Sequence, residues 1–129
     1  MRILALTILL LAAAVIVPAQ LMSEHNIAAG TSAYVKGARL TIKFVEVVED
    51  SRCPRDVNCI WEGNAKVKLL VSKGRKRSQE VELNSGVEPT TVSVFGYDLS
   101  LKDLTPYPDT SNPSSDMPKA LISVKAAKK

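Results

Sequence analysis

The residues with reactive potential in this chain are few and clustered. Cys53 and Cys59 lie in the stretch Asp50-Ser51-Arg52-Cys53-Pro54-Arg55-Asp56-Val57-Asn58-Cys59-Ile60-Trp61-Glu62-Gly63-Asn64-Ala65, which also holds the single tryptophan. Two thiols, one tryptophan and one imidazole, His25, define what chemistry is open. A zinc or copper site needs about four ligands, more than two cysteines and one histidine provide. A thiol nucleophile needs a positioned base, and a redox dithiol or haem attachment normally shows a two-residue spacing that is absent here. A disulfide is therefore expected between Cys53 and Cys59, no metal or cofactor is expected, and the chain reads as non-enzymatic.

The compartment supports the disulfide. Met1-Arg2 is a short basic start, Ile3 to Val17 is apolar apart from Thr7, and Val17-Pro18-Ala19 suits a signal-peptidase cut after Ala19. The apolar run is short for a spanning helix, so an uncleaved anchor is the lesser alternative. Residues 1–19 are thus expected as a signal peptide in helical form, and the product as periplasmic or extracellular, where a cysteine pair persists oxidised. Removing Arg2 leaves sixteen Lys and Arg against thirteen Asp and Glu. So small an excess excludes a strong nucleic-acid binder, and contact with membrane is expected only through the signal segment.

These residues must be positioned by strands, because the remainder of the chain alternates with period two. The reading is 20–32 as a flexible N-terminal segment carrying His25, 33–126 as one β domain and 127–129 as a frayed end. Strands are expected at Ala33–Val35 and at Leu40, Ile42, Phe44 and Val48, with a bulge near Val45 and Val47. A hairpin from Ala65 to Leu83 turns at Lys73–Ser78 and sets Lys66 and Lys68 across from Glu80 and Glu82. Val92 to Leu101, broken at Gly96, and Ala120 to Lys125 complete the set, and the proline-rich stretch 105–118 is a loop. The expected fold is all-β: an antiparallel, Ig-like sandwich of six to seven short strands, or a small barrel. The long proline loop favours the sandwich, read as a connection crossing between sheets.

Within the cysteine loop, Pro54 fixes φ, Asp56 and Asn58 favour turns, and Asp50-Ser51 caps the start. Trp61, two residues after Cys59, is expected to shield the sulfurs if the chain there is extended. Gly63 permits a kink before the next strand. Lys73, Arg75, Lys76 and Arg77 form a basic hairpin tip, read as a solvated solubility device with phosphates, lipid headgroups and acidic glycans as the alternative. Pro106-Tyr107-Pro108 holds an aromatic ring stiffly, either as a contact surface or as a plug that packs back on the domain.

The string Ser51-Arg52-Cys53-Pro54, Val57, Cys59, Trp61, Gly63 and Ala65, with Leu104-Thr105-Pro106-Tyr107-Pro108 downstream, resembles a group of small exported bacterial proteins of uncharacterised function. The resemblance implies an exported β-rich domain with one disulfide, in which Arg52, Pro54, Trp61 and Gly63 belong to a structural motif. It brings no activity. The functional expectation is a binding or accessory module of the cell envelope whose partner is a protein or a surface polymer. The alternative is a small protease-inhibitor-like module, since rigid proline loops on β-scaffolds fit enzyme clefts.

Overall fold

The alternation of apolar side chains builds eight strands in a computed structural model that describes residues 14 and 22–127. They are β1 (Met22–Ala28), β2 (Ser32–Val35), β3 (Leu40–Asp50), β4 (Ala65–Lys73), β5 (Arg77–Asn84), β6 (Thr91–Val94), β7 (Tyr97–Thr105) and β8 (Lys119–Ala126). They form two antiparallel four-stranded sheets, ordered β1-β8-β7-β6 and β2-β3-β4-β5. The expected signal helix and cleavage site lie outside the described residues.

Three expectations are corrected. The segment 20–32 is not free of structure: β1 pairs with β8 from Met22↔Lys125 to Ala28↔Lys119. Its inward residues Ser23 and His25 are polar, which hides the period until Ile27, yet the β8 ladder satisfies its backbone. This is why the strand count is eight. The strand order is also an up-and-down meander whose last strand returns to the first, whereas an Ig-like fold requires Greek-key crossings. Finally, the proline loop joins β7 to β8, neighbours in one sheet, and crosses between no sheets.

One core draws on both sheets. Ile27, Phe44, Leu69, Leu83, Leu99 and Ile122 are among its fully buried members. In β3 the register shifts between Phe44 and Glu46 and again between Val47 and Glu49, so the bulge falls where the Val-rich run breaks alternation. The shift turns Val47 toward the core and leaves Val48 exposed, opposite to the inward Val48 of the sequence reading. On the β3-β4-β5 outer face, Lys68 Nζ lies 3.5 Å from both Glu46 and Glu80. Lys66 lies across from Glu49 on β3 and from Asn84 on β5, since the unbroken β4–β5 register sets Glu82 opposite Lys68.

Candidate functional site: the disulfide tip

The β3–β4 hairpin continues past its strands into the cysteine loop. Ser51 N–H donates to the Asn64 carbonyl at 2.7 Å and Cys53 N–H to the Glu62 carbonyl at 2.8 Å. Gly63 makes that approach possible: its φ is +79°, and a Cβ there would overlap the Ser51 carbonyl oxygen and sit 2.7 Å from Arg52 Cα. The base of the extension is pinned by buried amides, with Asn64 Nδ2 donating to Asn84 Oδ1 at 2.9 Å and Asn84 Nδ2 to the Pro89 carbonyl at 3.1 Å. Gly86 N–H completes the set by donating to Asn64 Oδ1 at 2.9 Å.

Beyond this base the loop is closed by the expected Cys53–Cys59 disulfide, with its Cα atoms 5.9 Å apart. A loop of seven residues closed in this way gains about 2.4 kcal/mol in the chain-entropy treatment.

The cysteine loop and the Pro-Tyr-Pro segment meet at Arg52, which is only 8% exposed. Its Nε and Nη2 donate to the two carboxylate oxygens of Asp50 at 2.8 Å each, a bidentate pair. Nη1 donates to the Leu104 carbonyl at 2.6 Å and Nη2 to the Pro106 carbonyl at 3.2 Å. The planar guanidinium stacks 4.7 Å from the centroid of the Tyr107 ring. Arg55 stacks on the same ring at 5.5 Å, while its backbone N–H donates to the Pro108 carbonyl at 2.8 Å. Asp56 closes the seam, accepting from the Thr110 N–H at 2.9 Å and from the Thr110 hydroxyl. Those two bonds, the hydroxyl first, hold the Asp56 carboxyl below its ordinary value.

Tyr107 is therefore ordered against the domain and still partly exposed, at 38%. The ring packs back on the domain through the face that Arg52 and Arg55 stack on. It walls a hollow of about 180 Å³ with Arg52, Glu62, Gly63 and Gly86, and borders shallower ones beside Pro54 and beside Pro113.

Cys59, which the sequence reading has Trp61 shielding, is exposed. The chain bends at Ile60 and Trp61, so the two-residue parity of an extended strand fails there. Instead Val57 is 45% exposed, Trp61 55%, and Ile60 fully so. These three form an apolar tip ahead of the locked base. The sequence reading missed Ile60 and the Asn64–Asn84 pair, and gave Asp50 a capping role without its pair with Arg52. The i, i+2 spacing of Asp50 and Arg52 on a strand end is the signal that points to the bidentate pair.

The remaining candidates lie elsewhere. In the basic hairpin, Lys73 Nζ sits 5.8 Å from the Tyr97 ring and Arg77 stacks 4.8 Å from the Phe95 ring, so half of that group is engaged with the other sheet. His25 Nε2 lies 3.0 Å from Ser23 Oγ on β1, away from the tip. No carboxylate hydrogen-bonds the other imidazole nitrogen among the described residues, so the pair lacks the third member of a triad. Among the described residues no three His, Cys, Asp or Glu side chains come together as a metal site would need. Comparison of the chain with protein-family models, curated proteins and solved structures finds no match to any of the three.

Proposed function

We propose that the chain is a non-catalytic, exported binding module of the cell envelope, a flattened two-sheet sandwich that presents the disulfide tip to a protein or polymer partner. The observation that carries this reading is the contrast within one loop. Ile60 and Trp61 are exposed, while the residues beneath them are fixed by a disulfide, the Arg52 clamp and the Asp56–Thr110 bonds. An apolar surface held in one geometry loses little entropy on contact, and aromatic anchors of this kind dominate interface energetics. A disulfide at its base suits an oxidising compartment. Its resemblance to small exported bacterial proteins points the same way.

The test is affinity capture from envelope extract with the chain and its Ile60→Ser/Trp61→Ser variant. Both side chains are exposed, so the variant should fold as the parent does. A partner retained by the parent and lost by the variant supports the reading; equal capture by both contradicts it.

A second reading, a protease-inhibitor-like module, is favoured by the fully exposed Ile60 beside the disulfide half Cys59, a convex apolar residue suited to a specificity pocket. Inhibition of a serine or cysteine protease that disappears on Ile60→Asp would support it. No inhibition across a panel at micromolar protein would remove it.

A further inference from the structure

The meander gathers unpaired positive charge at the end of the domain opposite the tip. Val35, Leu40, Lys73 and Arg77 align as a row across one sheet, and Val94, Tyr97, Ala126 and Met22 end the strands of the other. The Lys73–Tyr97 and Arg77–Phe95 stacks join the two rows into one surface. The turn after β2 adds Lys36 and Arg39, both exposed, to Arg75 and Lys76 in the β4–β5 turn. Tyr34 borders a hollow between Arg39 and Lys73 and is 60% exposed. None of these six cations takes part in an ion pair among the described residues. Asp98, a carboxylate at this end, lies opposite Lys125 and accepts from the Ser93 hydroxyl, and Glu24 stands exposed two residues along β1 from Met22.

We propose that this basic end docks on an anionic phospholipid surface and directs the disulfide tip away from it. Two features beyond charge favour a bilayer as occupant. Tyr34, 60% exposed, and Tyr97 set amphipathic rings among the cations, the mixture found at membrane interfaces. In addition, β1 begins at this end, at Met22, and the apolar run Ile3 to Val17 stops five residues earlier, within about 18 Å of covalent reach. A chain that keeps that run is held with its basic end toward the membrane. A cleaved chain keeps the electrostatic attraction alone. The tip then stands at the far end of β4, whose nine residues span roughly 30 Å.

The experiment is sedimentation of the chain from Gln20, which carries every described strand, with vesicles of phosphatidylglycerol and phosphatidylcholine or of phosphatidylcholine alone. Near an anionic surface each Lys or Arg is worth about a fivefold factor in partitioning, equivalent to about 1 kcal/mol. The variant Lys36→Gln/Arg75→Gln/Lys76→Gln should therefore bind the mixed vesicles roughly a hundredfold more weakly at an unchanged melting temperature. The control Lys43→Gln/Lys66→Gln/Lys119→Gln, with the same change in net charge, should bind nearly as the parent does. Binding should vanish on neutral vesicles and at about 0.5 M salt. The proposal is overturned by no binding to the mixed vesicles, by equal binding to neutral ones, by equal loss in the two variants, or by retention on heparin with none on vesicles.

Discussion

Replacing Arg52 with Ala tests whether the cysteine loop and the proline loop fold as one unit. The substitution removes the bidentate pair with Asp50, two bonds to the Leu104 and Pro106 carbonyls and the stack on Tyr107. Breaking a fully buried pair costs about 3–5 kcal/mol. The Asp50 side chain is 29% exposed and water will solvate it in the variant, which lowers the expected loss to about 2–4 kcal/mol. Against a domain stability of about 5–15 kcal/mol this is a large share. Arg52→Lys keeps the charge but not the planar fork, so it should recover less than half of the loss. The assay is equilibrium urea unfolding followed by Trp61 fluorescence, with far-ultraviolet circular dichroism as the reporter of the sheets. A loss below about 0.5 kcal/mol for Arg52→Ala, the range of an ordinary surface substitution, refutes the clamp.

Three further outcomes are expected. Gly63→Ala should destabilise by at least about 2 kcal/mol, because the residue has positive φ and the added Cβ meets Ser51 and Arg52 backbone, and urea unfolding measures it. The protein should show no free thiol when denatured without reductant, and Cys53→Ser/Cys59→Ser should lower stability by about 2 kcal/mol, the contribution of a short closed loop. The Asp56 carboxyl is lowered by its folded-state bonds to Thr110, so its contribution is present above its unfolded value of 3.8 and is lost as pH falls through the lower folded value. Thr110 amide protection should therefore hold at neutral pH and weaken only in that acid window, and Asp56→Asn should abolish the pH dependence.

What was legible in the sequence was local. Ile42 and Phe44, Val67 and Leu69, and Leu99 and Leu101 declare their strands because each alternates with a polar neighbour in a half-buried ladder. The disulfide followed from two cysteines in one short loop and an N-terminal stretch read as an export signal. β1 was not legible, since Ser23 and His25 occupy the inward positions and its order depends on β8, almost a hundred residues away. Nor was the role of Arg52. Two of its acceptors are main-chain carbonyls 52 and 54 residues downstream, and a carbonyl carries no side-chain signature. The exposure of Trp61 was not legible either: parity arguments hold only for extended backbone, and the chain bends at Ile60.

The most direct test of the locked tip is native-state hydrogen exchange at three amides: Cys53, bonded to Glu62; Arg55, bonded to Pro108; and Thr110, bonded to Asp56. The three should be protected together in the parent, and in Arg52→Ala the Arg55 and Thr110 amides should lose protection while β8 amides such as Val124 keep theirs. Free exchange of Arg55 and Thr110 in the parent, or protection unchanged by the substitution, would contradict the account.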